Sequence, residues 1–93
     1  MISKELSATL GFAVREAKKR RHEYVSVEHI LFAILYEQSG IEIVENCGGN
    51  VETILRQLES FFEEKIEKIP EGSEYVLQQT IGFQRVIQRA VSH

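Results

Sequence analysis

Ninety-three residues, 43% of them hydrophobic, are enough for one compact domain with a single modest core. Fourteen acidic against eleven basic side chains give a formal charge of −3, which excludes general affinity for polyphosphate unless positive charge is clustered locally. One cysteine, Cys47, excludes an intrachain disulfide and a thiolate zinc site, and no run approaches the roughly 20 apolar residues of a bilayer span, so a reducing, cytoplasmic setting is expected.

From Ser3 onward, Leu6, Leu10, Ala13 and Ala17 recur at helical spacing, while Lys4, Glu5, Arg15, Lys18 and Lys19 lie largely elsewhere. This predicts a first amphipathic helix. It ends in Lys18-Lys19-Arg20-Arg21-His22, where positive charge suits the negative end of the helix dipole. Adjacent cations can also contact phosphate, but Glu16 and Glu23 flank the run and the helix terminus explains it without a ligand.

Ser26 is a cap for a second helix, with Glu28 in its first turn and Val27, Ile30, Leu31, Ile34 and Leu35 as its apolar stripe. His29 sits among apolar neighbours and reads as a partly buried ring serving a backbone group. Gly40 separates this helix from a short apolar piece, Ile41, Ile43 and Val44, that Gly48-Gly49 stops; a brief third helix fits there, with Cys47 as a packed thiol.

Asn50 caps a fourth helix of roughly four turns, with Val51, Ile54, Leu55, Leu58, Phe61 and Phe62 in one stripe. Phe61 and Phe62 are adjacent and cannot share one core line: one is a candidate exposed contact, or they close against the fifth helix. Residues 65–79, with Pro70 and Gly72, lose periodicity and read as a solvent-exposed linker. Thr80 starts a fifth helix carrying Phe83, Val86, Ile87, Ala90 and Val91.

A register shift of 77 aligns this last helix with the first. It pairs Leu6 with Phe83, Leu10 with Ile87, Ala13 with Ala90, Val14 with Val91 and Ser3 with Thr80. Helical repeats stack because none can hide its apolar face alone, so the chain reads as one full unit (1–64), a linker (65–79) and the opening of a second (80–93), cut from a longer protein. A plain five-helix domain with similar ends is the simpler alternative.

The segment Arg21-His22-Glu23-Tyr24-Val25-Ser26-Val27-Glu28-His29-Ile30-Leu31 resembles the signature of the Clp N-terminal repeat, a basic-His-acidic-aromatic turn entering a [ST]-x-E-H-[IL]-[IL] helix. Phe83-Gln84-Arg85-Val86-Ile87-Gln88-Arg89-Ala90 resembles the start of that family's second repeat. The resemblance implies an all-α fold: one four-helix Clp N repeat plus the first helix of a truncated pseudo-repeat, in a bundle of about five helices. Glu23-Tyr24 and Phe83-Gln84-Arg85 look more like the ClpA branch than ClpB or ClpC, where the turn more often reads Gly-His.

What the branch implies is a non-catalytic docking domain at the front of a hexameric AAA+ unfoldase that feeds the ClpP peptidase. Its implied partners are a ClpS-type adaptor and unfolded or degron-bearing proteins, with neither nucleic acid nor membrane. The residues carried over as adaptor-binding are His22, Glu23 and Glu28 on the turn, and Thr80, Gln84, Arg85 and Gln88 on the fifth helix. No cofactor is expected in this chain, which holds no Gly-x-x-x-x-Gly-Lys-[ST] loop; ATP would be bound by other modules of the parent protein. The alternatives are a stand-alone interaction domain, a zinc site at His22-Glu23 or Glu28-His29, which lacks a third ligand at a fixed spacing, and a nucleic-acid-binding helical domain.

Overall fold

The computed structural model describes residues 4–92. Ser3 and His93 lie outside them, and so does the expected correspondence of Ser3 with Thr80. The elements are α1 (Lys4–Lys19), β1 (Tyr24–Val25), α2 (Val27–Ile34), α3 (Gln38–Asn46), α4 (Val51–Lys65), β2 (Gln78–Gln79) and α5 (Ile81–Ser92). The fold is all-α, as the sequence predicts, with one addition. Two-residue strands β1 and β2 pair in parallel, Tyr24 opposite Gln78 and Val25 opposite Gln79.

Two of the predicted caps hold their helices through their side chains. The Asn50 side chain accepts from Thr53 N–H at 2.9 Å and the Thr80 hydroxyl accepts from Phe83 N–H at 3.2 Å, satisfying amides that the first helical turn leaves without partners. At α2 the cap works in reverse: His29, the third helical residue, accepts the backbone N–H of Ser26 on its Nδ1 at 2.9 Å.

Two apolar clusters share α2. Leu10, Ala13 and Ala17 of α1 meet Ile30 and Ala33 together with Val25 and Phe83, the alanines allowing α1 and α2 a close approach. On the other side Phe32 and Leu35 pack with Leu58 and Phe62 of α4. A helix enclosed on two sides cannot be described by one stripe, and this corrects the expected face. His29, Ile30, Phe32 and Ala33 are buried in α2, whereas Val27 and Leu31 are 41% and 38% exposed.

Three local expectations also change. Gly40 does not separate α2 from α3 but lies inside α3, buried, where an added Cβ would collide with the Ile34 carbonyl oxygen, so glycine permits the close approach. Cys47 is not packed; it is exposed at the C-cap of α3. Phe61 and Phe62 both belong to the cluster of α4 with α2, whereas Phe83 of α5 belongs to the cluster of α1 with α2. Phe62 is wholly buried and Phe61 half-buried, as adjacent positions on one helix require.

Candidate docking face

The turn between α1 and α2 rests on two buried imidazoles. His22 and His29 have no exposed surface, and His22 Nδ1 lies 2.8 Å from His29 Nε2. Because His29 Nδ1 accepts the Ser26 amide, the ring proton of neutral His29 sits on Nε2 and is donated to His22 Nδ1. That in turn leaves the His22 proton on Nε2. The His29 ring stacks on Phe62 at 4.6 Å, and His22 approaches Phe62 at 5.3 Å.

Burial penalises the charged imidazoles most. It lowers His29 to about 4, with His22 and Arg20 adding to the effect. His22 is lowered as well, by burial and then by the charges of Arg20 and Lys68. His22 was expected on the surface of the turn. It presents nothing to a partner and supports the turn from beneath.

Arg20 closes the side of this cluster. Its guanidinium donates to both carboxylate oxygens of Glu59, at 2.8 and 2.7 Å, and to Glu16 at 3.1 Å, while lying over the rings of Phe32 and Phe62. The hydrogen bond from Arg20 holds the Glu59 carboxyl below its ordinary range. Arg21 donates to main-chain carbonyls at Ile69, Pro70 and Ser73. Half of the Lys18–Arg21 run is thereby committed inside the protein, which weakens its reading as a phosphate contact.

Above the imidazoles the turn faces the chain that returns to it. Glu23 N–H donates to the Glu67 carbonyl, Gln78 N–H to the Glu23 carbonyl and Thr80 N–H to the Val25 carbonyl, at 2.9, 3.1 and 3.1 Å. Residues 65–79 are mostly exposed yet tied down at each of these points. The attachment brings Thr80 to Glu23 and Glu28. All three line one cleft of about 440 Å³, together with Tyr24, Ser26, Phe61, Lys65, Ile66 and Glu67.

Three carboxylates and one ammonium give the cleft an acidic rim, and Tyr24, Phe61 and Ile66 give it apolar surface. Gln84, Arg85 and Gln88 are exposed on α5, the helix that Thr80 caps, while Phe83 fastens that helix to the core with 1% of its surface exposed. Of the seven expected residues, six are therefore on or at the surface. Tyr24, Phe61, Lys65 and Glu67 were not among them; an exposed aromatic in the turn and the odd phenylalanine of the adjacent pair were the available signals.

Among the described residues no three His, Cys, Asp or Glu side chains stand close enough to hold a metal ion, and no helix is long and apolar enough to cross a membrane. The two histidines in the proposed zinc pairs are hydrogen-bonded to each other.

Residues 1–93 match the Clp repeat (R) N-terminal domain. The chain belongs to that family. It is 34% identical over 94 residues to a ClpA homolog protein of Fuscovulum blasticum, a match covering 98% of this chain and 12% of that relative's length. The match therefore places the chain among ClpA-type Clp N domains, and it does so over only about an eighth of the relative. In this chain α5 lies against α1 and α2 through Phe83.

Proposed function

We propose that this Clp N domain is the non-catalytic docking module of a ClpA-type unfoldase, binding a ClpS-type adaptor or degron-bearing substrates for delivery to proteolysis by ClpP. The observation that carries the reading is the cleft that joins Glu23 and Glu28 of the turn to Thr80 at the head of α5. Charged rim groups orient and steer a partner, and the apolar surface of Tyr24 and Phe61 supplies affinity once water is displaced. No reaction is needed. Holding cargo close to a hexameric motor raises its effective concentration there, and ATP hydrolysis belongs to modules outside this sequence.

Isothermal titration of the purified chain with a ClpS-type adaptor tests this reading. One-to-one binding is expected, weakened about ten-fold by Glu23→Lys, which reverses a charge on the cleft rim, and by Arg85→Glu, which reverses one on the exposed face of α5. A folded sample that gives no heat and no change in NMR spectrum defeats the adaptor reading.

A further inference from the structure

The first helix ends on an unusual residue. Arg21 N–H donates to the Lys18 carbonyl and His22 N–H to the Ala17 carbonyl, the paired closing bonds of a Schellman motif. Arg21 occupies the position whose backbone must turn left-handed, with φ 56°. The end of α3 repeats the same bonds, Gly48 N–H to Glu45 and Gly49 N–H to Val44, with glycine at the corresponding place and φ 84°. Glycine takes that conformation freely and an arginine does not, so the arginine must gain something from its side chain.

What it gains is visible. Nε donates to the Ile69 carbonyl at 2.9 Å, and Nη2 donates to the carbonyls of Pro70 and Ser73 at 2.8 and 2.6 Å. The guanidinium lies 5.3 Å from the Tyr75 ring centre. The Arg21 carbonyl accepts Ile69 N–H at 2.7 Å, so main chain and side chain grip the same segment. A planar fork of donors can serve several carbonyls of one turn at once, which a lysine ammonium on a flexible stem does poorly.

We infer that Arg21 is a positioning residue for the docking face: it accepts the left-handed turn so that its guanidinium clasps residues 69–73 and keeps α5 beside the 22–28 turn. The clasp lies between the two ends of the returning chain. On one side Glu67 and Lys68 meet Glu23 and His22; on the other Gln78 and Thr80 meet Glu23 and Val25. Released in the middle, those short backbone ladders hold a long loop by few bonds, and the head of α5 becomes free to leave Glu28. The structural half of this inference stands alone, and its effect on affinity rests on the proposed docking function.

Arg21→Gly and Arg21→Asn separate the two contributions, because both residues tolerate the left-handed backbone and neither supplies the clasp. In native-state hydrogen exchange the amides of Ile69, Gln78 and Thr80 should exchange at least about ten-fold faster in both variants, the size expected for loss of a single hydrogen bond to a charged group. Core amides of α1 and α2 should keep their protection. Arg21→Lys should fall between the variants and the parent, and adaptor affinity should fall in the same order. Unchanged exchange at Ile69, Gln78 and Thr80 overturns the clasp, and a loosened segment with unaltered affinity overturns the positioning role. If the parent chain binds no adaptor, the docking function fails, and the exchange of those three amides alone decides the clasp.

Discussion

A buried histidine pair makes the turn sensitive to acid. Unfolded, an imidazole titrates near its ordinary value of 6.5; folded, His29 is lowered to about 4 and His22 is lowered too, so the unfolded state binds more protons between those limits. Stability is therefore full above pH 6.5 and is lost as pH falls toward 4, by about 3 kcal/mol from His29 alone. Glu59, held low by its hydrogen bond from Arg20, loses stability in the same direction on further acidification. Urea unfolding at pH 7 and pH 4.5 checks this. His29→Gln keeps an acceptor for the Ser26 amide at the third helical position, so it should reduce the difference between the two pH values; equal acid sensitivity in that variant contradicts the role given to the pair.

Phe62 is the residue on which the imidazoles and α4 converge, stacked on His29 and in edge contact with Phe32. Phe62→Ala should cost about 3–5 kcal/mol, the loss of a fully buried aromatic plus the cavity it leaves, and should shift the denaturant midpoint of the whole domain. Its neighbour Phe61, half-buried at the cleft, should cost much less in stability when changed to alanine while weakening partner binding.

Among the elements, α5 is the one on whose placement the proposed docking face depends, and its anchors include the Thr80 cap, the β1–β2 pairing and Phe83, with Val86 and Ile87 packed on the same cluster. Thr80→Ala should destabilise α5 by about 1 kcal/mol, seen as faster amide exchange at Phe83 with α1 and α4 unchanged. A uniform loss of protection across every helix would contradict a local role. The helices, and the starts of α4 and α5, were legible in the sequence because caps and 3.6-residue periodicity are local signals, as Asn50 and Thr80 illustrate; the start of α3, which has no such cap, was not.

What was not legible is what depends on two distant stretches meeting. The stripe expected of α2 fails at Val27 and Leu31 because a helix between two clusters has no single apolar face. The pairing of Tyr24–Val25 with Gln78–Gln79 is made by main-chain bonds in two-residue strands, too short for alternation to reveal. His22 could be assigned to the turn but not to its underside, since only the fold shows that His29 and Phe62 enclose it. Glu23, Glu28 and Thr80 are implied by resemblance to a family, and their common cleft follows from the returning chain.

At the scale of the whole molecule, the described residues form two small clusters that share α2, and a cleft lined by residues more than fifty positions apart in sequence, the face proposed for docking. Such a face has meaning only if a partner touches both halves together. Titration of the isotopically labelled chain with a ClpS-type adaptor, followed by amide NMR, reads this directly. Glu23, Glu28, Thr80, Gln84, Arg85 and Gln88 should shift in step along one binding curve, with α3 silent; shifts confined to α3, or to one half of the cleft without the other, would contradict a docking face built from the turn and α5.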